Sequence, residues 1–361
     1  MVAAGLLSFA NGANDNFKGV ATLWGAGRAS YRRTLAWGTA FTFLGSLAAA
    51  WAASGLAAKF NGSNLVGKEI FTQIPFLAAV ALAAAATVLL ASRLGLPVST
   101  THALAGALAG SGVAAAGFAQ VKFAALASGV VLPLLFSPVV ALAMTLAVYP
   151  LAAKLAGGRD CVCLEQPQSV ALAANASFSG AAALVEAPPA VRWARAADCE
   201  TGAEAARFRI SDALHWLSGA AISFARGMND TPKIAAVLLV LPAAGTAGAK
   251  WNYLLVALAM ATGGLVGAAR VARTMSQKIT PMARPEAVGA NVVAAALVTL
   301  ASCLALPVST THVTSGGLFG IGLLRRKEAD WRRVRDIVLS WVGALPLSAA
   351  LACEFYWLLR K

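Results

Sequence analysis

The sequence predicts an all-α polytopic membrane protein made of two inverted-topology repeats, each with about five membrane segments, broken helices and re-entrant-type hairpins. Three observations carry that prediction. The first is composition: 59% hydrophobic residues and 12% charged over 361 residues, with a mean hydropathy of +0.71, leave too little polar surface for a soluble globule of this size. The second is repetition. GANDNFK at Gly12–Lys18 and GMNDTPK at Gly227–Lys233 share the same spacing of Gly, Asn, Asp and Lys, and LPVSTTH occurs unchanged at Leu96–His102 and Leu306–His312. The third is charge placement. A net charge of +14, from 29 Lys and Arg against 15 Asp and Glu, could suggest a nucleic-acid partner, but the basic residues collect in short loops between apolar runs. That is the positive-inside pattern of a membrane protein, and no nucleic acid is expected.

Val2–Trp24 is the first apolar segment, interrupted by GANDNFK. The loop bearing Arg28, Arg32 and Arg33 follows, so the rule places it in the cytoplasm and the amino terminus outside, in the cell membrane. No signal-peptide cleavage pattern precedes this run, and the amino terminus is expected to stay in the fold. Leu35–Ala58 is long enough to cross, since about 20 helical residues span the hydrocarbon, and Lys59–Gln73 reads as an outer loop. Phe76–Ser92 and Pro97–Phe118 form a pair joined at the first LPVSTTH. Val121–Ala153 returns inside, with Pro133, Pro138 and Pro150 expected to bend or end helices.

Residues 154–210 turn polar and read as a mobile cytoplasmic linker between a first repeat, 1–153, and a second, 211–361. Cys161, Cys163 and Cys199 fall in the linker, Cys303 and Cys353 in apolar runs, and this scatter points to no metal site. After the linker the pattern restarts. Ala213–Leu241 carries GMNDTPK and Trp251–Ala269 crosses. A basic loop with Arg270, Arg273, Lys278 and Arg284 then lies inside. Ala287–Leu324 contains no Asp, Glu, Lys or Arg, yet it holds the second LPVSTTH, so its turn reads as a hairpin tip buried in protein. The basic loop Arg325–Arg335 and the segment Ile337–Leu359 close the chain. Trp37, Trp251, Trp341 and Trp357, near segment ends, read as interface anchors. Five segments per half, entered from opposite sides and interrupted at matching positions, point to a secondary transporter with its substrate near the midplane.

The motifs suggest the chemistry. In LPVSTTH the proline ends one helix and Ser99 or Thr100 can cap the next, whose free N–H groups and dipole attract anions. Two such ends, bearing Ser99, Thr100, Thr101 and Ser309, Thr310, Thr311, would bind an oxyanion. The plainer alternative is hydroxyls bonded back to their own helices, which identical strings in both halves disfavour. In GMNDTPK, Pro232 is welcome only in a first turn, so a half-helix is expected to start after Asp230 with Gly227–Asn229 unwound. By repetition Asp15 holds the same post. Asn14, Asp15, Asn229 and Asp230 then offer oxygen ligands for a coupling ion. Lys18 and Lys233, three residues beyond their aspartates, can pair with them on one helix face. A purely structural break would not need charge, which costs about 2.5–3.5 kcal/mol at the bilayer centre. Arg226 stands where the first copy has Asn11 and could face the anion or a headgroup. His102 and His312 read as packing residues that could titrate in a transport cycle. Asn291 receives no role.

The two GAND-type strings and two PVSTTH strings, in this order, resemble the inorganic phosphate transporter family, phosphate permeases that include sodium- and proton-coupled carriers. The resemblance covers both membrane halves and leaves the linker without a counterpart. It implies an inverted-repeat helical fold, symport of inorganic phosphate with H⁺ or Na⁺ as coupling ion, and no other cofactor. It also implies a phosphate site at the Ser-Thr-Thr tips (Ser99, Thr100, Thr101, Ser309, Thr310, Thr311), with Lys18, Lys233 and Arg226 beside it and cation coupling at Asn14, Asp15, Asn229 and Asp230. The family pattern reads GANDVAN, whereas this chain has Lys18 and Lys233 in place of the last Asn. A fixed ammonium can stand for a bound sodium, so loss of one or both sodium sites is expected, favouring proton coupling or a metal-phosphate substrate. Sulfate, another tetrahedral oxyanion, is the alternative substrate. The bilayer is the expected surrounding and a homodimer is left open. An anion channel also suits helix-end anion sites, although coupling aspartates argue against it. An intramembrane hydrolase is disfavoured, since Ser99 with His102 and Ser309 with His312 would make a duplicated catalytic centre.

Overall fold

The computed structural model describes residues 1–156, 161–165, 169–171, 184–186, 191–194, 204–239, 246–324 and 328–361. In the first half the helices are α1 (Val2–Asp15), α2 (Ala21–Gly25), α3 (Tyr31–Ala52), α4 (Ala57–Phe60), α5 (Lys68–Phe71), α6 (Ile74–Leu94), α7 (Thr100–Ala116), α8 (Phe123–Leu126) and α9 (Leu132–Ala156). In the second half they are α10 (Ile210–Leu239), α11 (Thr246–Gly267), α12 (Ala269–Gln277), α13 (Arg284–Cys303), α14 (Thr310–Leu324) and α15 (Trp331–Leu359). The fold is mainly helical. Among the described residues, five spans are long and apolar enough to cross a membrane: Tyr31–Ala52, Ile74–Leu94, Phe123–Lys154, Pro285–Cys303 and Trp331–Leu359. Lys250–Gly267 of α11 and Ala269–Gln277 pass the same test only when taken together, and they are bent by 71° to one another.

The elements form for local reasons and then exchange partners between halves. α6 ends because Gly95 adopts φ +71°, and Leu96 N–H closes the turn on Ala91 C=O at 2.9 Å. At the matching place α13 ends on Ala305, with φ +53°, and Leu306 N–H reaches Ala301 C=O at 2.8 Å. Ser99 then caps α7 and Ser309 caps α14, their hydroxyls accepting from the N–H groups of His102 and His312, each at 3.2 Å. Hairpins α6–α7 and α13–α14 result. α3 packs on α10 as α11 packs on α1, and α15 packs on α6 and α7 as α9 packs on α13 and α14. The crossings are tight: a Cβ on Gly12 would lie 1.9 Å from Met260 O of α11, and one on Gly227 2.0 Å from Thr42 O of α3. Small residues permit such contact in lipid, where apolar burial alone does not drive helices together.

The structure departs from expectation in four places. Gly227–Asn229 is not unwound, because α10 runs unbroken through Pro232. One forfeited backbone bond costs less than freeing several polar groups where no water can reach them. The first copy does break: α1 stops at Asp15 and a 3-10 turn, Lys18–Val20, precedes α2. Pro138 and Pro150 likewise lie inside α9 without ending it, and Pro133 sits in its first turn. Trp341 is no interface anchor. It is buried, and its indole N–H donates to Pro97 C=O at 2.9 Å.

The fourth departure is in residues 154–210, expected as a mobile linker. Between the end of α9 and the start of α10 their described parts are the five strands β1 (Cys161–Glu165), β2 (Ser169–Ala171), β3 (Leu184–Glu186), β4 (Val191–Ala194) and β5 (Glu204–Arg209). β1 pairs antiparallel with both β4 and β5, and β2 with β3. Cys199 and Arg325 lie outside the described residues.

Candidate substrate and ion site

α1, α10 and the two hairpin tips converge on one buried polar cluster. Lys18, three residues after Asp15, carries its ammonium back to that carboxylate, with which it forms an ion pair. The same Nζ donates to Asn14 Oδ1 at 2.8 Å, to Val98 C=O at 2.9 Å and to Thr311 Oγ1 at 2.7 Å. Lys233 repeats the arrangement. It donates to Asn229 Oδ1, to Val308 C=O at 2.6 Å and to Thr101 Oγ1 at 3.0 Å, with Asp230 Oδ1 at 3.5 Å. Each lysine therefore binds the hairpin turn of its own half and a threonine of the other half.

The remaining predicted residues fall into place around them. The Thr100 hydroxyl donates to Asp15 Oδ2 at 3.1 Å and that of Thr310 to Asp230 Oδ2 at 3.2 Å. Asn14 Nδ2 donates to Ser92 Oγ at 2.9 Å and Asn229 Nδ2 to Ser302 Oγ at 2.8 Å. The hydroxyls of Ser99 and Ser309 accept from the cap N–H groups of His102 and His312, which leaves each O–H as a donor. Arg226, buried completely, donates to Asn16 Oδ1 and to Thr42 Oγ1 at 3.1 Å, with Nη1 3.7 Å from Asp230 Oδ2. It faces the site and not a headgroup.

Asn11 was legible only as the counterpart of Arg226. Its amide spans the centre, donating to Asp15 Oδ2 at 2.8 Å, Thr100 Oγ1 at 3.0 Å and Asp230 Oδ2 at 3.4 Å. The two carboxylates are thus joined through one side chain. Ser92, Ser302 and the carbonyls of Val98 and Val308 also escaped the motif reading. The serines had a signal, for each precedes its LPVSTTH by the same interval. Backbone carbonyls have none. Asn291, unassigned from sequence, donates to Thr22 Oγ1 at 3.0 Å, where His215 also binds at 3.0 Å, so it ties α13 to α2 and α10.

The charge count decides what the cluster can hold. Three cations, Lys18, Lys233 and Arg226, face two carboxylates, Asp15 and Asp230, and all five are buried. A buried charge in excess requires a partner. The N-termini of α7 and α14 add partial positive charge beside it. Arg226 Nε and Nη1 and Asn11 Oδ1 also lack hydrogen-bond partners among the described residues. The described residues thus leave this cluster with one positive charge in excess.

The sequence profile of the phosphate transporter family matches residues 11–352. A probable low-affinity inorganic phosphate transporter of Bacillus subtilis is 24% identical, over 100% of this chain and 96% of its own length. Another of that description, from Rhizobium meliloti, is 26% identical over 97% of this chain and 92% of its own. Among solved structures, one titled "The sodium-dependent phosphate transporter" shares the fold with a TM-score of 0.75 and 20% identity, covering 99% of this chain and 97% of the other.

Proposed function

This chain belongs to the phosphate transporter family, multi-pass membrane transporters and not enzymes, and on that footing we propose that it is a secondary active carrier, a symporter of inorganic phosphate. The observation that carries this reading is that, among the described residues, the buried cluster at the N-termini of α7 and α14 sets three cations against two carboxylates. Phosphate binds there to the Ser-Thr-Thr tips, Lys18, Lys233 and Arg226. It competes with Asp15 and Asp230 for the two ammonium groups. A carboxylate that loses its buried ammonium must be neutralised, so anion binding draws in a cation, and Asn14, Asp15, Asn229 and Asp230 become the coupling site. The reading of two inverted halves draws support from the exchanged helix contacts; that residues 154–210 are cytoplasmic and the amino terminus outside rests on the placement of the basic loops.

The coupling ion in this reading is the proton. Each lysine Nζ lies among a carboxylate, an amide oxygen, a backbone carbonyl and a threonine hydroxyl. These are hard oxygen ligands of the sort that hold small cations, and here an ammonium takes that place. Proteoliposomes given labelled phosphate should accumulate it against its gradient when the outside is acidified, with little response to sodium. Arsenate should compete more strongly than sulfate. Strict sodium dependence would remove the proton from the reading, and flux that only runs down the phosphate gradient would make the protein a channel.

A further inference from the structure

Next to the two hairpin tips lies a cavity of about 590 Å³ that none of the site's lysines or carboxylates lines. Leu135 and Val139 of α9 form one wall and Val342 and Leu345 of α15 the other, with His102 and His312 between them. Among the described residues no charged side chain contributes. The mouth faces hydrocarbon: Leu135, Val139 and Val342 are 53%, 62% and 65% exposed, on two membrane-capable spans of which only 28% is buried.

The histidines give this apolar space a polar end. Both are buried, yet His102 Nδ1 and His312 Nε2 have no hydrogen-bond partner among the described residues. His312 Nδ1 lies 3.0 Å from Leu134 C=O. A carbonyl only accepts, so Nδ1 carries the ring proton and Nε2 is left as a bare acceptor. An unsatisfied buried acceptor is destabilising, and an O–H donor would relieve it. An ionised headgroup would find no countercharge in these walls.

We propose that this cavity binds a neutral membrane amphiphile, its hydroxyl donating to His312 Nε2 and its chain lying between α9 and α15. Such a ligand also touches the transport machinery. The His312 ring packs on His102 with centroids 4.6 Å apart and on Trp341 at 4.0 Å. Trp341 holds Pro97 C=O, the neighbour of the Val98 carbonyl that binds Lys18. An occupant therefore braces both tips in their present arrangement and slows any transport step that separates them. The proposal is independent of which anion the site carries.

Photolabelling in proteoliposomes tests it with dodecanol bearing a diazirine, against the matching alkane and alkylammonium. The alcohol should label peptides of α9 and α15, and unlabelled dodecanol should compete. His312→Phe, which keeps the stack on Trp341, should cut labelling about fivefold, the worth of one hydrogen bond, and Val139→Trp should block it by filling the space. Equal labelling by the alkane, or labelling indifferent to both substitutions, would overturn the proposal. So would quantitative disulfide cross-linking of Leu135→Cys to Val342→Cys between two molecules, because a second copy would then cover this face.

Discussion

Lys18 and Lys233 hold the site together because each satisfies a buried carboxylate and reaches a threonine in the opposite half. Removing one member of a buried pair strands the other, at about 3–5 kcal/mol. Lys18→Met should therefore lower the thermal midpoint in detergent and abolish uptake. Adding Asp15→Asn, which removes the stranded charge and keeps an acceptor for Thr100, should restore much of the midpoint and none of the uptake. If the double variant transports normally, Lys18 and Asp15 serve only to neutralise each other. Arg226 has no equivalent in the first copy, where Asn11 stands. Arg226→Gln should weaken equilibrium phosphate binding by about ten- to a hundredfold, the range for a hydrogen bond to a charged group. Unchanged binding would place this guanidinium outside the substrate site.

At the level of elements, the halves differ where their sequences differ. Gly19, inside the 3-10 turn after α1, corresponds to Ile234 in α10. Glycine is worth about 1 kcal/mol less than alanine in a helix, and it marks where the first copy breaks while the second continues. The hairpin turns differ in the reverse sense. Gly95 takes its left-handed conformation freely, whereas Ala305 sets a Cβ against a carbonyl, at about 1–2 kcal/mol. Ala305→Gly should stabilise the protein by about 1 kcal/mol, read as a higher midpoint. Gly227→Ala, forced against Thr42 O, should destabilise it by about 1–3 kcal/mol. A neutral result at Gly227 would mean that α3 and α10 can move apart without penalty.

Over the whole molecule, the exchange of helices makes each half incomplete, since α15 covers hairpin α6–α7 and α9 covers α13–α14. Residues 1–156 or 204–361 produced alone should give no uptake, and the two produced together should recover it; a lone half that transports would refute this dependence. The membrane class, the paired motifs, the serine caps and the contact of each lysine with its own aspartate were all legible in the amino-acid order. These follow from composition and from helix geometry, in which residues three apart share a face wherever the helix is placed. The sequence misjudged GMNDTPK, because a proline preference describes an isolated helix and α10 is held by neighbours. It also misjudged Trp341, because nearness to a segment end does not reveal whether another helix lies against it. The meeting of Lys18 with Thr311, that of Lys233 with Thr101 and the bridge of Asn11 between Asp15 and Asp230 emerge from the folded packing alone. Those partners lie far apart in the chain, and they meet because helix crossings at Gly12 and Gly227 bring two separately legible motifs to one place.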